Sequence, residues 1–214
     1  MRRRKKIIPG AIRWLIIIFL FSGIFSSSLQ ASYLYIGLSG GFFYPSEEVF
    51  REIYSSGAQF GGELVYTFWY NYGLFLRGSY FQRDGQLSFT KDKTTVKILP
   101  LIIGFRYHVT GRRVSGFLDL GLGLFHFDEK NPLGQATVNK LGYAISSGLN
   151  IFIYQGFYLG GRLDYTYCRV KPFELAAQIG GLNLGLNIGY RFQLTPEEET
   201  WVWKEVKEGG KYHP

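Results

Sequence analysis

A chain of 214 residues is long enough for one domain with a sizeable core, and 28 glycines with 18% aromatic residues argue against a helical bundle. The formal charge of +8 invites a polyanionic partner such as nucleic acid, but that charge is concentrated in one place. Residues 1–31 hold Arg2, Arg3, Arg4, Lys5, Lys6 and Arg13 and no acid; beyond them 18 of the 24 basic residues face 16 acids, a net of +2, so no basic patch remains to argue for nucleic acid.

Those first residues have the three parts of a secretory signal: a cationic start, an apolar run over 14–25, then Ser26-Ser27-Ser28-Leu29-Gln30-Ala31. A helix needs ~20 apolar residues to span a ~30 Å hydrocarbon core, and this run is shorter, so cleavage after Ala31 is expected rather than a retained anchor. Leu29, third before the cut, is larger than is usual there. Cys168 is the single cysteine, which leaves no internal disulfide and no lipid anchor after the signal; it reads as a lipid-facing or loop residue.

From residue 33 onward, segments of about ten alternating residues are divided by turn residues, the sequence form of a tilted transmembrane barrel strand. They cover 33–43, 58–69, 73–82, 95–107, 116–127, 140–153 and 157–168, and the last covers 177–192. The fold class expected is all-β: an antiparallel up-and-down transmembrane β-barrel of about eight strands over 32–194, preceded by a cleavable signal peptide. Connections near 70, 111 and 155 are short, and those at 44–57, 83–94, 128–139 and 169–176 are long. Such alternation matches short periplasmic turns and longer outer loops, with an even strand count leaving both termini in the periplasm. Within the first long connection, Pro45 and the acids Glu47 and Glu48 open a segment expected to form a short helix with Phe50, Ile53 and Tyr54 on one side. Pro100 lies inside a strand that a closed barrel cannot place at an edge, so a bulge or a missing hydrogen bond is expected there.

The closing segment carries Leu182, Leu184, Leu186, Ile188, Tyr190 and Phe192 on one face and Asn183, Gly185, Asn187, Gly189 and Arg191 on the other. Its ending, Gly189-Tyr190-Arg191-Phe192, resembles the closing strand of bacterial outer-membrane β-barrels. That resemblance implies pairing with the first strand and reading of Gly189, Tyr190 and Phe192 by the barrel-insertion machinery, after escort by periplasmic chaperones. The run Leu99-Pro100-Leu101 ending Gly104-Phe105-Arg106-Tyr107, followed by Gly116-Phe117-Leu118-Asp119-Leu120-Gly121-Leu122-Gly123, is similar to the OmpA-like and opacity-protein barrels over roughly residues 33–192. The resemblance implies an outer-membrane location with lipid around the wall; it specifies no activity. The segment 195–214 is expected to be a periplasmic tail, far too short for the peptidoglycan-binding domain that some relatives carry.

Alternation alone fits a soluble barrel turned inside out equally well, so residue type has to decide. One face holds leucines such as Leu74, Leu76, Leu99, Leu101, Leu118, Leu120, Leu122 and Leu124, and aromatics cluster at strand ends as in membrane-interface girdles. The other face holds glycines, Ser146, Phe75, Phe81 and the charged and amide residues Glu63, Arg77, Arg106, Asp119, Arg162, Asp164, Asn183, Asn187 and Arg191. Small and polar residues suit a narrow lumen filled by side chains, and leucines suit lipid. Folding adjacent strands about their turns brings Glu63 level with Arg77 and Arg106 level with Asp119, so ion pairs between these neighbours, supported by Asn183 and Asn187, are expected in the lumen, the alternative being charges hydrated separately in a wet lumen.

No HExxH, CxxC or nucleotide-binding glycine loop is present, and no cofactor, metal or catalytic residue is assigned. His126 sits near Asp128 and Glu129 at a strand end, in phase with the leucine face and with no serine close in sequence; it reads as an interfacial histidine rather than part of a hydrolase site. A structural or surface-interaction barrel acting through its outer loops is the default reading, with the extracellular partner unassigned. A narrow conduit for small or apolar solutes and a lipid A-modifying enzyme stand beside it.

Overall fold

The computed structural model describes residues 32–69, 71–87, 91–111, 113–132, 134–171 and 177–194; the expected signal segment and tail lie outside them. Eight antiparallel strands close into a barrel: β1 (Tyr33–Pro45), β2 (Gly57–Trp69), β3 (Tyr72–Gln86), β4 (Lys93–Thr110), β5 (Val114–Asn131), β6 (Gly134–Tyr154), β7 (Phe157–Tyr167) and β10 (Gly181–Gln193). Helix α1 (Glu48–Tyr54) lies between β1 and β2, and the two-residue strands β8 (Arg169–Val170) and β9 (Ala177–Gln178) pair with each other before β10. β10 closes the circle on β1, from Tyr33↔Gln193 to Pro45↔Gly181. Among the described residues no helix is long and apolar enough to cross a membrane, a finding that does not bear on strands.

Short turns after β2, β4 and β6 gather at one end, the turn end, where Tyr33 and Gln193 also sit. Gln155 and Gly156 make a two-residue turn between Tyr154 and Phe157 with φ of 39° and 96°, the left-handed region that such a hairpin loop favours. At the opposite, loop end the strands run further than the sequence reading, β3 to Gln86 and β4 from Lys93 within the expected loop 83–94, and two other stretches differ more. The stretch 128–139, expected to be a loop, is mostly strand: β5 and β6 run on as a hairpin as far as Asn131↔Gly134. Residues 177–180, expected to begin the closing strand, lie in the small β8–β9 sheet and the link after it instead. Polar turn-forming residues such as Asn131 and Gly134 gave 128–139 the look of a loop, and the hairpin is long because its partner strand continues with it.

The wall shows which barrel this is. Outward Leu38 and Leu122 are 69% and 68% exposed, whereas inward Arg77 and Asp119 are 3% and 0% exposed. Leaving the leucines outside and burying the charges is unfavourable in water and natural in lipid. Pro100 is accommodated without a bulge. The β3–β4 ladder runs to Gly78↔Leu101 and resumes at Phe81↔Ile98 in unchanged register, so the pairing is interrupted only opposite Leu99 and Pro100. On its other side Pro100 stays in register with Phe125 of β5.

The lumen is layered. Toward the loop end, Phe43, Phe81, Val96, Ile98, Phe125 and Phe127 form an apolar plug that Phe50 and Tyr54 of α1 cap. The expected short helix is therefore present, and its apolar side faces inward. Toward the turn end Tyr35, Val65, Phe75 and Tyr158 make a second apolar layer. Between the two lie the charges.

Candidate functional site

Period two sends Glu63, Arg77, Arg106, Asp119, Arg162 and Asp164 inward at the same middle height. Glu63 Oε2 accepts from Arg77 Nη2 at 3.2 Å, Arg106 Nη2 at 3.0 Å and Arg162 Nη1 at 3.1 Å. The Asp119 carboxylate accepts from Arg106 Nε at 2.7 Å and Nη2 at 2.8 Å, and from Arg77 Nη2 at 2.5 Å. Across the barrel, Asp164 accepts from Arg77 Nη1 at 3.0 Å, Arg162 Nε at 2.9 Å and Asn183 Nδ2 at 3.2 Å. Ser146 and Ser39 hydroxyls accept from Arg77 Nη1 at 2.8 Å and Arg162 Nη2 at 3.0 Å. Arg77 is the hub, touching all three acids.

Both cross-strand pairs expected from the turns are present, with Glu63↔Arg77 and Arg106↔Asp119 directly opposite in the ladders. The network reaches further than adjacent strands. Ser39, Glu63, Arg77, Arg106, Asp119, Ser146, Arg162 and Asn183 come one from each of the eight strands, so a single hydrogen-bonded layer ties the whole circle. Three guanidinium groups against three carboxylates leave it neutral. That balance is what makes charges this deeply buried tolerable, because an unpaired charge in such a space carries a heavy desolvation cost.

Two expected members lie elsewhere. Asn187 bonds Asn150 through its Nδ2 at 2.8 Å. Arg191 stacks its guanidinium over Phe152 at 4.1 Å and Tyr33 at 4.7 Å near the turn end, a cation–π cage in place of a carboxylate. Both face inward as alternation requires, but alternation fixes the face and not the height along the axis. Ser39, in turn, escaped notice: a lone serine in a glycine-rich strand carries no signal of its own.

No family model matches the chain, and no curated protein matches it. Among solved structures, the outer membrane protein OprG from Pseudomonas aeruginosa is similar with a TM-score of 0.60 at 15% identity, over 76% of this chain and 96% of that one. Neisserial surface protein A is similar with a TM-score of 0.55 at 13% identity, over 75% of this chain and 97% of that one. The chain has the fold of the small outer-membrane β-barrels.

The glycine and aromatics at the end of the closing strand have a local packing reason. A Cβ on Gly189 would meet the Tyr158 hydroxyl at 2.5 Å, and so would a Cβ on Gly37 opposite it. Both glycines therefore make room for one buried ring. Tyr190 packs edge-on between Phe157, at 4.7 Å between centroids, and Phe192, at 4.6 Å, forming part of the aromatic girdle of the turn end.

Among the described residues no group of three or more His, Cys, Asp or Glu is placed to hold a metal ion. His126 stands on the outer face opposite Leu99 and Asn139, its Nδ1 2.8 Å from Asn139 Oδ1. Cys168 is not lipid-facing: it lies in the link between β7 and β8, a loop position, and is fully buried in the loop-end plug. Burial pushes its thiol up to about 11. Since the thiolate is the reactive species, labelling of Cys168 by a soluble maleimide near neutral pH should be slower by at least about tenfold in the folded barrel than in urea. Equal rates in the two states would show that the plug does not cover it.

Proposed function

We propose that this chain is a closed barrel of the bacterial outer membrane, anchored by its wall and acting through its loop end, with both termini in the periplasm. The observation that carries this reading is the packed lumen. An apolar plug, a neutral ion network and an aromatic layer follow one another along the axis. Within the network the interior holds a cavity of about 20 Å³ lined by Ser39, Arg77, Arg162, Asp164 and Asn183. A space of that size takes about one water molecule and no solute. Eight strands enclose an interior that side chains can just fill, whereas water-filled porins use about 16–18.

The outer end then has what the lumen lacks, namely free polar surface for contact. Outer-membrane lipid surrounds the wall, and the closing Gly189-Tyr190-Arg191-Phe192 is the element offered to the insertion machinery. The reading involves no cofactor and no catalytic step. Its test is electrical: the purified barrel in a planar bilayer should give no stable conductance steps, while a deletion strain keeps its permeability to small solutes. Large, long-lived steps from the monomer would overturn it in favour of a channel.

A further inference from the structure

The seam where the closing strand meets the first has a gap in its inward face. The lumen-facing residues of β1 run Ser39, Gly41, Phe43, and Gly41 lies opposite Gln59 of β2 on one side and Gly185 of β10 on the other. Two glycines side by side at one height leave the lumen unfilled there. The cavity of about 20 Å³ lies at this place: Ser39 and Phe43, which flank Gly41 along the face, line it together with Gln59, Asp164 and Asn183. Phe43 belongs to the plug and Asp164 to the ion layer, so the layers that close the gap are both built from described residues.

Asn183 turns an unsatisfied oxygen into this space. Its Nδ2 has to face Asp164, a carboxylate that only accepts, and donates to Oδ2 at 3.2 Å. Oδ1 therefore points the other way, where a Cβ on Gly41 would stand 2.6 Å from it. Among the described residues this oxygen has no hydrogen-bond partner, although Asn183 is only 8% exposed. A buried amide oxygen without a donor is costly. Across the gap, Gln59 is buried to the same degree. Its Nε2 donates to Ser79 Oγ at 3.1 Å, which uses one of the two N–H bonds of that nitrogen and leaves the other. A donor on β2 and an acceptor on β10 thus face a strand that puts no side chain between them.

Size and charge select what fits. A cavity needs roughly 10–15 Å³ to hold a water molecule, with two to four polar partners. The ion layer beside the gap is balanced, so a bound cation or anion would bring an unmatched charge into the lumen. An apolar group would leave Oδ1 without a donor. We infer that the gap over Gly41 is the binding site of one ordered water molecule, which accepts from Gln59 Nε2 and donates to Asn183 Oδ1. The water stands in for the side chain that Gly41 lacks and ties β10 to β2 across β1. The inference rests on the reading of the lumen as packed and closed, and adds to it a ligand at the seam. The two fail separately: a gap without water leaves the barrel non-conducting, and conductance is read electrically whatever the gap holds.

The full chain in lipid nanodiscs, deuterated at carbon and labelled with nitrogen-15, is tested by nuclear Overhauser contacts to water in the laboratory and rotating frames. The side-chain amide protons of Gln59 and Asn183 should give cross-peaks at the water frequency, opposite in sign in the two frames, as a molecule held far longer than surface hydration does. The exposed Gln135 amide should give only the weak contact of surface water. Exchange through the Ser39 and Ser79 hydroxyls would imitate the first result, and Gln59→Leu separates the two because it leaves both hydroxyls in place. In that variant the Asn183 contact with water should be lost. Gln59 lies outside the ion network, and unchanged heat-resistant migration in a detergent gel would show that the variant folds. Absence of both cross-peaks from the unsubstituted barrel, or an Asn183 contact that survives Gln59→Leu, overturns the inference. So does surface-like exchange at Gln59 and Asn183, which would mean a continuous column of water in the lumen and not one bound molecule.

Discussion

Arg77→Met should lower the stability of the refolded barrel by about 3–5 kcal/mol, the usual cost of removing one partner from a buried ion group. Arg77 donates to Glu63, Asp119, Asp164 and Ser146, and its loss leaves three carboxylates to two guanidinium groups in a space a few side chains wide. Glu63→Gln should also destabilise, with the opposite imbalance, because Oε2 of Glu63 accepts from three arginines. Combining the two restores neutrality, so the double variant should lose clearly less than the sum of the singles. Urea unfolding midpoints in lipid vesicles read all three. Strict additivity would show that the two side chains act independently and that the network is a set of separately hydrated charges.

Phe81→Ala should cost about 3–5 kcal/mol in the same measurement, as a large aromatic removed from a packed core leaves a cavity that neighbours only partly fill. Phe81 is fully buried in the plug and meets Phe43 edge-on at 5.0 Å between centroids. Phe60→Ala, one pairing step away on the outer face and 64% exposed, serves as the control and should cost far less. The plug variant should still fail to conduct, because the ion network beneath it remains. Comparable losses for the two phenylalanines would mean that the loop-end interior is fluid and not packed.

Much of this architecture was legible in the chain because a barrel wall obeys one rule everywhere. Alternation assigns each residue to lipid or lumen, and a short turn fixes register, which is how Glu63 came to face Arg77 and Arg106 to face Asp119. What alternation lacks is a coordinate along the axis. Arg191 and Asn187 were given the right face and the wrong neighbours for that reason. The contact of Arg77 with Asp164 was beyond reach too, since it crosses the barrel between strands that share no turn. Segments above the membrane were the least legible. There the outward face turns polar, the contrast on which alternation depends fades, and the β5–β6 extension looked like a loop. Of the two places expected for Cys168 the link after a strand is the one observed, but a single apolar residue there does not say that the chain bends inward and buries it.

The distribution of the lumen charges along the chain bears on how such a wall can be put into a membrane. The β2–β3 hairpin carries Glu63 and Arg77, the β4–β5 hairpin Arg106 and Asp119, and the β6–β7 hairpin Arg162 and Asp164. Each pair of strands joined by a short turn brings one cation and one anion already within reach of each other, while β1 and β10 contribute uncharged Ser39 and Asn183 to the layer. A sheet that grows hairpin by hairpin thus never exposes an unmatched middle-layer charge to the hydrocarbon at any stage of its growth. The final closure of β10 on β1 rearranges partners that are already balanced, and the contacts across the barrel, Arg77 to Asp164 and Arg162 to Glu63, are the ones left to form when the circle is complete.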